Sequence, residues 1–317
     1  MSSVRLYYIL RAMKIIVTHS SPDMDAITSV WLIRRFLTGW ENAVVKFVPA
    51  GERIGNIKYQ SFDKLRTNIK NPIEAVDEDE IINVDTGLGP LDHHQTASDN
   101  VCAASLTFDF VKRTQNSRNK KWEDRAAAVD RMVKVVVDID HFKEVFWKDA
   151  TSDYHEFSVG SILDGLKLQK QNQDDFYVDF ISNCLDAILH EFENRIWAEK
   201  EIKENGIRFE TRFGKGIGFE TINDSVIKLA QKMGYVLVVR KDPRKGYVRV
   251  KARPSLGIQN RDIDLTLAYE KLKKMDPTAT WFLHIGKKML LNGSVKNPKM
   301  RPTRLSLGDI IKVLEEI

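Results

Sequence analysis

The chain has 317 residues, of which 43% are hydrophobic and 29% are charged, and this composition argues against intrinsic disorder. It is long enough for two domains of ordinary size, or for one large domain. The two cysteines form no CxxC pair, which excludes a zinc ribbon, and no apolar run is long enough to span a membrane. The formal net charge of +5 suits a polyanionic partner, and we expect a cytoplasmic protein.

The first predicted strand is preceded by a short stretch with little structural signal. Residues 1–13 contain one apolar patch but lack the apolar segment and cleavage site of a signal peptide. Met13 stands directly before the strand. We therefore expect either a poorly ordered extension or a translation start at Met13.

Strands and helices alternate through the first two thirds of the chain. Short β-branched runs predict strands at 14–19, 43–48 and 80–85, and apolar residues at helical spacing predict helices at 26–36, 101–114, 122–137, 158–169 and 174–204. This alternation predicts an α/β domain with a parallel sheet and helices on both faces. Ligands of such sheets bind beyond the carboxyl ends of the strands.

The pattern changes near residue 205. Short strands, a hairpin turn at DPRKG and three more helices follow, which is typical of a smaller α+β domain. The long helix 174–204 is the predicted connector. We expect domains at 14–205 and 206–317.

The first candidate site motif is His19-Ser-Ser-Pro-Asp23-Met-Asp25. Its Pro-containing turn follows a strand and precedes a helix, so it can direct an imidazole and two carboxylates into one pocket. This mixture of ligands suits Mn²⁺ and similar ions. The alternative is that Asp23 or Asp25 only caps the helix.

The second motif runs from Asp85 through two glycines and a proline to Asp92-His93-His94. A tight loop can direct one histidine at a metal and the other at a substrate oxygen, and Asp92 can fix a histidine tautomer. The alternative is a solvated polar loop. A third candidate, Asp138, follows an apolar run, with Asp140 as its alternative.

These residues predict metal-dependent hydrolysis of a phosphate ester. Two divalent ions can hold the attacking and leaving oxygens of a phosphoryl displacement and generate the nucleophile from water. No GxSxG pattern, Walker loop or GxGxxG motif suggests another chemistry.

HSSPDMDA and VDTGLGPLDHHQ resemble the motifs of the DHH phosphoesterase superfamily, and the second is most similar to its melanocyte-proliferating-gene branch. The resemblance covers about residues 14–145. It implies two Mn²⁺ ions, with Mg²⁺ or Co²⁺ as alternatives, and a phosphate contact by His94. The ligands it implies are His19, Asp23 and Asp85 for one ion, and Asp25, Asp85, His93 and Asp138 for the other. The chain lacks the superfamily's Asp-Thr pair at the third motif and its C-terminal Gly-Gly-Gly-His signature.

The second domain offers candidate substrate contacts, since Arg and backbone N–H groups bind phosphate well. These candidates are Arg253, His284, Asn292, Gly293 and Arg301. The alternative for several of them is a solvated surface position. Trp281, Phe282 and Tyr247 are candidates for base stacking, with core packing as the alternative.

We therefore expect a phosphodiesterase that acts on short oligonucleotides or single-stranded RNA ends. The alternatives are a pyrophosphatase or exopolyphosphatase, whose substrate is a phosphorylated small molecule, and a non-catalytic nucleotide-binding protein. The oligomeric state stays open, with a homodimer as one option.

Overall fold

The computed structural model describes residues 12–55, 71–115, 120–254, 263–294 and 296–317. Most of the predicted N-terminal extension lies outside these residues. The chain divides into two compact units, Met1–Glu193 and Asn194–Ile317. Within the described ranges, no helix combines the length and the apolar character that crossing a bilayer requires.

The sheet of the first unit has the order β2-β1-β4-β3. Its strands are β1 (Lys14–His19), β2 (Val44–Val48), β3 (Ile73–Val76) and β4 (Asp79–Asn83). β1 is parallel to β2 and β4, as predicted, but β3 runs antiparallel to β4. The sequence analysis missed β3, because four residues are too few to show a clear alternation.

Five α-helices begin within the described residues of the first unit: α1 (Met24–Phe36), α2 (Ala103–Thr114), α3 (Lys120–Asp140), α4 (Val159–Gln169) and α5 (Asp174–Glu204). The last of them continues past Glu193 into the second unit. α1 is buried along almost its whole length, because it packs against β1, α2 and α3. This central position fixes the start of α1, which contains the last two residues of the first candidate motif, Met24 and Asp25.

The second unit contains a six-stranded sheet of order β5-β6-β7-β8-β10-β9. Its strands are β5 (Ile207–Thr211), β6 (Gly214–Glu220), β7 (Leu237–Lys241), β8 (Val248–Ala252), β9 (Phe282–Leu283) and β10 (Met289–Asn292). Among the described strands of this sheet, only β6 and β7 pair in parallel. Its helices are α6 (Ser225–Lys232), α7 (Thr266–Met275) and α8 (Leu307–Glu315). The predicted class, an α/β unit followed by an α+β unit, is confirmed.

The two faces of this second sheet are covered differently. One face forms a core with α7 and α8, built on residues such as Val239, Val250 and Leu290. On the other face, α6 and the end of α5 pack on β6 and β7, through Ile217 and Val238.

Candidate metal centre

The site lies beyond the carboxyl ends of the adjacent strands β1 and β4. His19 is the last residue of β1, and Asp85 follows β4 after Val84, whose N–H still donates to the carbonyl of Val17. Asp85 has a φ of 51°, in the left-handed region that non-glycine residues rarely adopt. Its N–H donates to the carbonyl of Leu91 at 3.0 Å, and this bond holds the unfavourable backbone in place.

Three residues shape the loop that returns the histidine pair to Asp85. Gly87 has a φ of 73°, and a Cβ there would lie 2.4 Å from Cβ of Arg53, so a side chain does not fit. Asp92 accepts hydrogen bonds from the N–H groups of Leu88 (2.7 Å) and His94 (3.0 Å). Gln95 donates to the carbonyls of Leu88 and Gly89. The sequence analysis assigned no role to Gln95, which here fixes the loop.

His19, Asp23 and Asp85 form one group of potential metal ligands. Nε2 of His19 lies 3.2 Å from Oδ2 of Asp85 and 3.8 Å from Oδ2 of Asp23. The other oxygen of Asp23 caps α1 by accepting from the N–H groups of Asp25 and Ala26. Asp23 can therefore serve both roles that its sequence position allows, one with each oxygen.

A second group surrounds Nε2 of His93. This atom lies 3.5 Å from Oδ2 of Asp140, 3.6 Å from Oδ1 of Asp85 and 3.6 Å from Oδ2 of Asp25. The His93 nitrogen, the Asp140 oxygen and the Asp85 oxygen are buried without any hydrogen-bond partner in the described structure. Because burying such atoms unpaired is costly, their convergence indicates a ligand position between them.

The spacing of these atoms fits a divalent cation. Donor atoms at about 2.1 Å from one octahedral ion lie about 3.0 Å apart when neighbouring and about 4.2 Å apart when opposite. The separations of 3.5–3.6 Å around His93 lie within that range. Asp85 belongs to both groups, since Oδ2 faces His19 and Oδ1 faces His93, which is the geometry of a bridging carboxylate.

The electrostatics of the cluster also fit a cation. Burial raises the pKa of Asp85 and of Asp140, and burial together with the Asp85 charge raises the pKa of Asp25 well above its usual range. Burial opposes protonation of His19, but the hydrogen bond with Asp85 and the nearby carboxylates raise its pKa to about 9. A divalent cation is what would let these carboxylates ionise together.

Asp25 has an additional role that the sequence analysis did not assign. Its two carboxylate oxygens accept from the N–H groups of Ala103 (2.7 Å) and Ala104 (2.6 Å), at the start of α2. The side chain is almost fully buried. The helix that Asp25 caps is therefore α2, whereas Asp23 caps α1.

Asp140, and not the first choice Asp138, lies in the cluster. Both residues are in α3, but residues two apart point to nearly opposite sides of a helix. Asp138 belongs to none of the potential ligand groups found among the described residues. His141, which the sequence analysis missed, joins the group of His93 and Asp140, and its Nε2 lies 2.9 Å from the carbonyl of Val101. The signal was the sequence Asp140-His141, which repeats the pairing in Asp92-His93.

His94 lies at the exposed side of the cluster. Its side chain is 59% exposed, and its Nδ1 lies 2.8 Å from Oδ1 of Asp92 and 3.7 Å from Oδ1 of Asp85. Burial lowers the pKa of His94, but the hydrogen bond with Asp92 and the surrounding carboxylates raise it above the usual value. This arrangement leaves Nε2 for a contact outside the cluster.

Two of the five candidate substrate contacts in the second unit are corrected. Asn292 is fully buried, donates to the carbonyls of Thr280 and Arg301 at 2.9 Å, and accepts from the N–H of Thr303 at 2.7 Å. Its side chain links the backbone at Thr280 to the segment Arg301–Thr303, and it has no exposed surface for a substrate. Gly293 has a φ of 79°, and a Cβ there would lie 2.2 Å from the Tyr247 ring, so packing accounts for this glycine.

The other three candidates, Arg253, His284 and Arg301, are exposed. Of the aromatic candidates, Trp281 is buried in the core, whereas Phe282 is 48% exposed.

No protein-family model and no curated protein matches the chain. Among solved structures, it is similar to a DHH-domain protein described as a member of a family of ribosomal proteins, at 10% identity and a TM-score of 0.31 over 96% of this chain and 86% of the other. It is also similar to a pGpG-specific phosphodiesterase from Vibrio cholerae, at 12% identity and a TM-score of 0.25 over 95% and 98% of the two chains.

Proposed function

We propose that the chain is a metal-dependent phosphodiesterase that hydrolyses short oligonucleotides or the ends of single-stranded RNA. The observation that carries this proposal is the convergence of buried, unpartnered atoms of His93, Asp85 and Asp140 beside the group of His19 and Asp23. The two groups share Asp85, which supports a pair of ions with one bridging carboxylate.

The proposed ligands of one ion are His19, Asp23 and Asp85, and those of the other are Asp85, His93 and Asp140, with Asp25 and His141 beside them. When bound, two divalent cations such as Mn²⁺ supply an activated water and neutralise charge on the phosphate. The mixture of imidazole and carboxylate donors suits Mn²⁺, with Mg²⁺ or Co²⁺ as alternatives.

His94 is proposed to bind the substrate phosphate. Asp92 accepts from Nδ1–H of His94 and so directs Nε2 away from the carboxylates, towards the exposed side. The hydrogen bond to Asp92 also favours the protonated ring, in which both nitrogens donate. A charged donor at this position stabilises negative charge on the phosphate oxygens.

The proposal is tested by hydrolysis of a substrate panel with metal-depleted protein to which Mn²⁺ is added back. The panel contains a short oligoribonucleotide, the matching oligodeoxyribonucleotide, a dinucleotide, pyrophosphate and polyphosphate. We expect cleavage of the oligoribonucleotide or the dinucleotide, and loss of cleavage in His93→Ala and Asp85→Ala. If only pyrophosphate or polyphosphate is cleaved, the proposed substrate is wrong. If the two variants are as active as the parent, the proposed site is wrong.

A further inference from the structure

The sheet of the second unit extends beyond the helix that covers one of its faces. α6 packs on β6 and β7 through Val226, Ile227 and Ala230. The strands β8, β10 and β9 continue the same sheet, but none of their residues belongs to that core cluster. Among the described residues, the side chains of these strands on this face add nothing to that buried cluster, and they are exposed or partly exposed.

Strand register identifies the side chains on this uncovered part. Arg249 pairs with Leu291, which pairs with Phe282, and Lys251 pairs with Met289. Directly paired residues share a face, and their neighbours Val250, Leu290 and Leu283 lie in the core on the opposite face. We call the set of Arg249, Lys251, Phe282, Met289 and Leu291 the open face.

The open face borders a basic cavity at the edge of α6. This cavity of about 320 Å³ is lined by Lys228, Arg249, Lys251 and the acidic Asp224, among others. Asp224 already pairs with Arg249 and, at 2.7 Å, with Arg240. Neither Lys228 nor Lys251 has an ion-pair partner in the described part of the chain. The surface therefore has an excess of positive charge, which suits an anionic ligand.

An exposed aromatic ring stands across the sheet from these cations. Phe282 is 48% exposed and lies two strands away from Arg249, at about 10 Å for a strand spacing of about 4.8 Å. A single inorganic phosphate is too small to span that separation, whereas a nucleotide chain has both a charged backbone and bases that stack on aromatic rings.

We propose that the open face binds single-stranded oligonucleotide, with phosphates on Lys228, Arg249 and Lys251 and a base stacked on Phe282. The proposal rests on the proposed phosphodiesterase function for its choice of ligand. The excess of positive charge attracts any polyanion, but an acidic protein has no bases that stack on Phe282. A nucleic acid is therefore favoured, because it can use both the cations and the exposed ring.

Binding is measured by fluorescence anisotropy with a labelled single-stranded 12-mer RNA, in a chelator that prevents cleavage. We expect Phe282→Ala to weaken binding about tenfold, since stacking on one aromatic ring has about this effect. We expect the double variant Lys228→Ala, Lys251→Ala to make the slope of log affinity against log salt shallower by about 1.4, at about 0.7 per phosphate contact.

Matched controls come from α7, which covers the opposite face of the sheet. Met275→Ala removes an apolar side chain of similar exposure, 50%, and Lys274→Ala removes an exposed charge. Both controls are expected to bind like the parent. The same RNA annealed to its complement is expected to bind more weakly than the single strand, because its bases are no longer free to stack.

Three results would overturn the open-face proposal: unchanged binding in Phe282→Ala, equal binding of the duplex, or equally effective competition by a poly-glutamate peptide. These outcomes are separable from the proposed activity. Mn²⁺-dependent cleavage with unchanged binding in the open-face variants refutes only the open face, whereas selective loss of binding without any cleavage refutes only the phosphodiesterase.

Discussion

His93 and Asp140 meet with Nε2 3.5 Å from Oδ2, although one lies in the loop after β4 and the other is the last residue of α3. Neither atom has a hydrogen-bond partner in the described structure. The pair therefore links the loop after β4 to α3, which lies about 45 residues further along the chain. Sequence spacing alone does not predict this contact.

The pair predicts different effects of two neighbouring substitutions in α3. Asp140→Asn removes a proposed metal ligand. We expect activity with Mn²⁺ to fall at least about a hundredfold, the size of effect seen when a group that stabilises charge in the transition state is lost. Asp138→Asn makes the same chemical change on another side of the helix and is expected to stay within about twofold of the parent. Initial rates at saturating Mn²⁺ test this, and equal loss in both variants would contradict the assignment.

Asp92 is predicted to stabilise the loop and to orient His94. Replacement by alanine leaves the N–H groups of Leu88 and His94 without their acceptors, and we expect a loss of about 1–3 kcal/mol in the free energy of unfolding. Urea denaturation in the presence of a chelator measures this effect apart from metal binding. His94→Gln keeps Asp92 in place, so we expect it to have the parent's free energy of unfolding but to lose activity. A destabilised His94→Gln would contradict the separation of loop stability, assigned to Asp92, from substrate binding, assigned to His94.

Asp25 is predicted to matter for stability even without metal. Its carboxylate caps α2, and loss of a helix cap costs about 0.5–2 kcal/mol. We expect Asp25→Ala to lower the urea midpoint in chelator as well as in Mn²⁺. A variant that is destabilised only in Mn²⁺ would show that Asp25 acts purely as a metal ligand.

Asp276 is predicted to make the second unit sensitive to acid. The N–H of Arg304 and the hydroxyls of Thr278 and Thr303 hold the pKa of Asp276 at about 2, below the usual value of about 3.9. Its stabilising contribution is therefore complete above pH about 4 and is lost as the pH falls towards 2. Asp276→Asn should be less stable than the parent at pH 7 and should flatten this part of the pH profile. Thermal melts between pH 4 and 2 test this. If Asp276→Asn loses stability over that range as steeply as the parent does, the assignment is contradicted.

The sequence predicted most of the elements and the core of the site, because both depend on local patterns. His19 and Asp85 follow apolar strands, and parallel strands place their carboxyl ends side by side, so their proximity could be inferred without a structure. The choice between Asp138 and Asp140 could not, since it depends on the rotation of α3 about its axis.

The second unit was harder to interpret for a similar reason. Asn292 and Gly293 have the residue types of a phosphate loop, but three hydrogen bonds and the Tyr247 ring account for them. Of the open face, only Phe282 was a candidate in the sequence, as a residue for base stacking. The face itself depends on which strands are neighbours in the sheet and on where α6 stops, and neither can be derived from local spacing.

The most direct test of the two-metal centre is the number of Mn²⁺ ions bound per chain, measured by isothermal titration calorimetry on metal-depleted protein. The parent is expected to bind two ions, and Asp85→Asn should weaken both sites, because Asp85 belongs to both ligand groups. His93→Ala should affect mainly one of them, and Asp138→Asn should bind like the parent. No binding by the folded parent, or two unchanged sites in Asp85→Asn, would contradict the bridged centre.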